Sequence, residues 1–331
     1  MSWLVTGGAG YIGSHVVRAF EAEGIECVVL DDLSSGYRHY VPESVPLVVG
    51  SITDAAALDE AFEIGGRSGV VHVAGFKYAG VSVSRPLHTY TQNVTGTVAL
   101  LEAMGRHSVD NVVFSSSAAV YGTPDTALVT EQSPTRPESP YGETKLIGEW
   151  LLRDEGRARS LAHASLRYFN VVGAGSPDLP DTSPHNLFPI VLGLLLSGKT
   201  PAINGDDYAT PDSTCVRDYV HVADLARSHV AAAKRLAAGT PIAPVYNLGS
   251  GTGLSVREIM SATSRVTGID FEPGINPRRP GDPAVIVADG SLAARDLDWR
   301  MRHTVDEMVR SAWEALRAAD SAAPHETKDS L

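Results

Sequence analysis

TGGAGYIG, residues 6–13, follows the apolar run WLV without a break and leads straight into SHVVRAF, so a glycine-rich turn joins a strand to a helix. Gly7, Gly10 and Gly13 let the chain turn tightly, admit a pyrophosphate near the backbone and pack helix on strand; the helix start adds amide donors and a positive dipole end. Outward from this turn, CVVLDD (27–32), PLVVGS (46–51), GVVHVAG (69–75) and NVVFSSS (111–117) repeat short β-branched runs between Ala/Leu/Glu-rich stretches. Strands apolar on both faces fit a parallel sheet covered by helices on each side.

The fold class expected is α/β, a Rossmann-like doubly wound parallel sheet with a smaller α/β substrate-binding lobe. The second strand ends at Asp31 and Asp32, about twenty residues past the turn, where a carboxylate accepts from ribose hydroxyls and repels a 2′-phosphate, so NAD is favoured over NADP. After Arg167 proline, glycine and aspartate become frequent, as in GAGSPDLPDTSP and INGDDYATPDST. This predicts a nucleotide-binding domain at 1–167, returns to it from about 218–250, a substrate domain at 168–320 and a disordered tail at 321–331.

The 331 residues carry a formal charge of −12 and no dense Lys/Arg run, which argues against nucleic acid. Cys27 and Cys215 lie far apart in apolar surroundings, the pattern of two structural cysteines in a reducing compartment. The N-terminus lacks a basic start with a long apolar run, and the longest apolar stretch, Phe188 to Leu196, is too short for a membrane span. A cytoplasmic protein is expected. His72 and His221 sit in apolar β-like runs without ligand-spaced partners, so packed histidines are expected and no metal.

YGETK places Tyr141 and Lys145 four residues apart, on one face of a helix starting after Ser139 and Pro140. A tyrosine acting as a base near neutrality needs its pKa lowered by roughly three units, about 4 kcal/mol, which nearby cations supply. FSSSAAVYG puts Ser115, Ser116 and Ser117 at a strand end, where open parallel sheets bind ligands.

With these residues in place, the chain resembles the extended short-chain dehydrogenase/reductase family, and within it the UDP-glucose 4-epimerases, to about Val305. TGGAGYIGSH, AGFKYAGVSVSRPLHTYTQNVTGT, FSSSAAVYG, SPYGETK, LRYFNVVGA, VRDYVHVADLA, YNLGSG and PRRPGD carry the resemblance. It implies Tyr141 as base, Lys145 on the nicotinamide ribose and lowering the tyrosine pKa, and Ser117 bonded to the sugar hydroxyl. It implies cofactor contacts from Tyr11, Ile12, Asp31, Asp32, Ser51, Ile52, Ala74, Gly75, Lys77, Asn93, Ser115 and Phe169, beside the three glycines. Asn170, Asn186, Leu187, Arg217, Arg279 and Asp282 match the sugar-nucleotide positions, and the two arginines suit a diphosphate. The implied reaction is NAD-dependent epimerisation of a UDP-hexose at C4 through a transient 4-keto sugar, in a homodimer.

Three positions depart from the pattern. Ser51 replaces an acid that often faces adenine, Asn204 replaces an aromatic residue that often faces uracil, and Ile286 occupies a place that tunes tolerance of N-acetyl sugars. A UDP-N-acetylhexosamine, UDP-pentose or UDP-uronic acid is therefore an alternative substrate. Ala118 and Ala119 stand where a 4,6-dehydratase needs an acid/base pair, which excludes elimination. A non-catalytic NAD-binding protein is the alternative from another class; the intact Ser117, Tyr141 and Lys145 argue against it.

Overall fold

A computed structural model describes residues 1–279 and 282–322 of the chain. Seven strands form one parallel sheet: β1 (Ser2–Thr6), β2 (Glu26–Asp31), β3 (Leu47–Val49), β4 (Gly69–His72), β5 (Asn111–Ser115), β6 (Ala162–Tyr168) and β7 (Val245–Leu248). Their order is β7-β6-β5-β4-β1-β2-β3. All five strands expected from the first half are present. β1 is central, with Val5 in register with Val29 on one side and Val71 on the other, and Trp3, Leu4 and Val5 fully buried. The chain leaves β1 towards β2 and β3, then crosses back to β4, so the C-terminal ends of β1 and β4 diverge into a crevice.

Two helices cover one face: α1 (Tyr11–Ala22) and α3 (Val222–Ala237), burying Val16, Val17, Phe20, Leu225 and Ala233 against the sheet. The opposite face is covered by Ala55–Ile64, Gly96–Arg106 and α2 (Pro140–Arg159), through Leu58, Phe62, Leu100, Met104 and Leu152. Ser139 caps α2 by accepting from Gly142 N at 3.2 Å, and proline fills the first helical position. Tyr141 thus enters the helix at its first turn, beside the end of β5.

The second half of the chain interleaves with the first. Val222–Ala237 covers the large sheet and Val245–Leu248 joins it, whereas Asn170–Val172 pairs with Tyr219–His221, and Ala202–Asn204 with Gly274–Asn276. Leu128–Val129, from the first half, pairs with Val285–Ala288 in a four-stranded sheet. A separate core of Val172, Phe188, Leu192, Tyr219, Ile259, Met308 and Val309 supports this lobe. The helix Val305–Ala322 runs into the segment expected to be a disordered tail; residues 323–331 of that tail lie outside the described residues. Phe188 to Leu196 lies in the ten-residue helix Leu187–Leu196, and among the described residues no helix is long and apolar enough to cross a membrane.

His72 is buried between Thr6 Oγ1 (2.8 Å) and Thr97 Oγ1 (3.0 Å), and burial lowers its pKa to about 3. His221 accepts from Ala223 N at 3.1 Å and shares a 3.0 Å bond with Ser311 Oγ. Both are packed, locally bonded side chains.

A Cβ on Gly13 would lie 2.0 Å from the Gly7 carbonyl oxygen, a contact no rotamer change relieves. Gly13→Ala is expected to destabilise the protein by about 3 kcal/mol or more, read as a lowered melting temperature. Gly80→Ala, with open space around it, is the matched control and leaves the melting temperature close to wild type.

Candidate functional site

A cavity of about 810 Å³ opens at the C-terminal edge of the sheet, between the two lobes. Its floor is the glycine turn: Gly7, Gly10, Tyr11, Ile12 and Gly13 all line it, and α1 starts at Gly10 with no side-chain cap. First-turn amides without a cap are available to an anion. Asp31 fixes the turn by accepting from Ala9 N (2.9 Å) and Leu33 N (2.8 Å), and burial pushes its carboxyl up. Asp32 is exposed and accepts from Ser34 N at 2.9 Å. Both carboxylates reach the cavity, as do Ile52, Ala74, Gly75, Lys77 and Phe169.

Ser51, Asn93 and Ser115, expected as cofactor contacts, stand outside the cavity lining. Ser51 turns its hydroxyl onto Thr53, 2.9 Å from Oγ1. Asn93 is buried behind the wall, accepting from Phe76 N (2.7 Å) and donating to Phe76 O (3.0 Å) and Thr144 Oγ1 (2.9 Å). It shapes the 74–76 turn, and Gly75 has φ +149° with Asn93 Oδ1 only 2.8 Å from where a Cβ would sit. Its neighbour Gln92 reaches the cavity instead. Ser115 contributes its carbonyl, while its hydroxyl pairs with His229 Nε2 at 3.0 Å.

Ser117, Tyr141 and Lys145 meet on one wall. Lys145 Nζ donates to Ser115 O at 2.8 Å and lies 5.8 Å from the centre of the Tyr141 ring. Among the described residues no carboxylate pairs with the buried ammonium, and desolvation lowers its pKa to about 8. Burial pushes the Tyr141 phenol above its ordinary value, opposed by a hydrogen bond from Ser117. The expected help to the phenolate comes from Lys145 and the nicotinamide ring together.

Asn170, Asn186, Leu187, Arg217, Arg279 and Asp282 line the far end. Arg217 donates to Val216 O at 2.8 Å and forms an ion pair with Asp282 at 3.3 Å. With its amide oxygen facing the guanidinium, Asn204 accepts from Arg279 Nε (3.2 Å) and Nη2 (3.3 Å). Ile286 packs instead in an apolar cluster with Phe169, Leu146 and Tyr121, and Phe169 forms the wall there. Pro280 and Gly281 of the PRRPGD stretch lie outside the described residues.

Several wall residues went unread in the sequence. Arg85, His88 and Gln92 recur at helical spacing across Pro86–Tyr90 and the π-helical turn Thr91–Thr95, a signal that was present. Tyr78 and His185 meet edge-to-face at 4.7 Å, joining two loops distant in sequence. Cys215, expected as purely structural, is buried and free but forms part of the wall; Cys27 is buried in the core.

Lys145→Met is expected to raise the melting temperature of the NAD-free protein. The unfolded chain holds the Lys145 proton up to about pH 10.5 and the folded chain only to about 8, so the wild type gains stability as pH rises between these values. The variant loses that gain, as thermal melts across the interval will show.

A sequence profile described as the NAD dependent epimerase/dehydratase family matches residues 3–249. The UDP-glucose 4-epimerase of Azospirillum brasilense is 44% identical over 318 residues, covering 94% of this chain and 91% of that one. The crystal structure of UDP-glucose 4-epimerase from Stenotrophomonas maltophila with bound NAD and formylated UDP-arabinopyranose superposes with a TM-score of 0.92 at 39% identity, covering 98% and 100% of the two chains. That of the Brucella ovis enzyme in complex with NAD gives 0.89 at 40% identity, covering 94% and 97%.

Proposed function

The chain belongs to the NAD dependent epimerase/dehydratase family, and from that premise we propose that it is an isomerase interconverting UDP-galactose and UDP-glucose at C4. The observation that carries this reading is the convergence of Ser117, Tyr141 and Lys145 on the cavity that also holds the uncapped glycine turn and two arginines. The residues fit NAD: free first-turn amides suit its pyrophosphate, Asp31 and Asp32 suit an unphosphorylated ribose, and the wall beside Tyr141 needs added positive charge. When bound, NAD supplies that charge and takes up and returns the C4 hydride.

Tyr141 removes the C4 hydroxyl proton and gives it back, Ser117 holds that hydroxyl in line, and Lys145 keeps the wall positive. Arg217 and Arg279 clamp the diphosphate, with Asn204 steadying Arg279 from the side. Inversion at C4 through a transient 4-keto sugar would need no second substrate. Ser117 accepts from Ala119 N at 3.1 Å, and Ala118 and Ala119 bring no carboxylate to the cavity, which supports epimerisation over elimination. The 1–167 segment with its returns serves the cofactor, and the 168–320 segment serves the sugar nucleotide.

Val83 (64% exposed), Leu87 (82%) and Trp150 (47%) stand out from first-lobe helices. Such a set supports a homodimer. Two free buried cysteines suit the reducing cytoplasm.

Purified protein incubated with UDP-galactose, without added NAD, should form UDP-glucose, followed by chromatography. Tyr141→Phe should lower kcat by about 10²–10⁴-fold with bound NAD unchanged. Conversion of a UDP-N-acetylhexosamine, UDP-pentose or UDP-uronic acid alone would move the substrate, and no conversion even with NAD supplied would leave a cofactor-binding protein. Light scattering at micromolar concentration should give twice the chain mass; a monomer removes the dimer.

A further inference from the structure

Asp181 lies in the loop ahead of the helix Leu187–Leu196, behind the cavity wall and outside its lining. It accepts from Asn186 Nδ2 at 2.7 Å and from Ser183 N at 3.0 Å. Lys77, another wall residue, is the cation that acts on it, and the tyrosines Tyr11, Tyr40 and Tyr78 all feel its charge.

Asn186 occupies the N-cap of that helix, where an asparagine oxygen ordinarily accepts a first-turn amide. Here it makes no such bond. One Nδ2 proton is committed to Asp181 and Oδ1 is withheld from the helix, which leaves Oδ1 free to serve the cavity beside the second Nδ2 proton. A carboxylate has no proton to offer, so turning the amide over would break the bond and face oxygen against oxygen.

We propose that Asp181 is a positioning residue that holds Asn186 with its carbonyl oxygen towards the cavity, making this position an acceptor for a pyranose hydroxyl. This rests on the reading of Asn186 as a substrate contact. It goes beyond that reading by giving the contact a direction: a sugar hydroxyl that donates here meets an acceptor held in place.

The test is a double-mutant cycle on UDP-galactose turnover with Asp181→Asn, Asn186→Ala and the double variant. Each single change should raise KM by about tenfold, with kcat within about threefold and bound NAD unchanged. The double variant should be no worse than Asn186→Ala, because the first partner acts through the second. KM increases that multiply, or an Asp181→Asn enzyme with wild-type KM, overturn the proposal and leave Asn186 as a substrate contact. An unchanged KM in Asn186→Ala overturns both. Should Asp181→Asn lose its NAD or its melting transition, Asp181→Glu, which keeps the charge but displaces it by one methylene, enters the same cycle with the same expected non-additivity.

Discussion

The contact of Gly13 with the Gly7 carbonyl is the constraint from which the rest of the molecule takes its place. It sets the start of α1 against the end of β1 with no room for a methyl group. Other parts then register on that helix. Tyr11 donates to Gly173 O at 2.6 Å, His15 donates to Tyr11 O and accepts from Gly175 N at 2.8 Å, and Arg18 pairs with Asp178 at 3.2 Å. The first loop of the second lobe is therefore laid along α1, and the crevice between the lobes has the width that this seam allows.

Within the crevice, electrostatics oppose reactivity until a ligand enters. Burial is costly for both charged forms: it lowers the Lys145 pKa to about 8, where the ammonium is still the main form at neutral pH, and it favours the protonated Tyr141.

Much of this was legible in the sequence, and the limits have physical causes. The strands of the first half and the capped start of α2 follow from local signals, namely β-branched runs and Ser139-Pro140, and the structure has them. The wall groups on strand ends and helix starts, such as Ser117, Tyr141 and Lys145, follow equally well because a regular element fixes where each side chain points. Asn93 and Ser115 sit behind the lining for reasons no periodicity encodes: one residue of phase in a π-helical turn separates Asn93 from Gln92, and Ser115 gives its carbonyl to Lys145 and its hydroxyl to His229. Tyr78, His185 and Asp181 escaped because loops distant in the chain bring them together, and no periodicity encodes that meeting.

The pairing of Leu128–Val129 with Val285–Ala288, and of β6 with β7, has a consequence for how the chain is made. A ribosome delivers β1 to β6 long before their last neighbours: β6 waits some eighty residues for β7, and Leu128–Val129 waits for more than one hundred and fifty. The edge of β6 is therefore an unpaired strand edge throughout that interval, the kind of surface that recruits other chains. The two halves of the chain therefore complete their sheets together rather than in succession, unlike a tandem of independent domains.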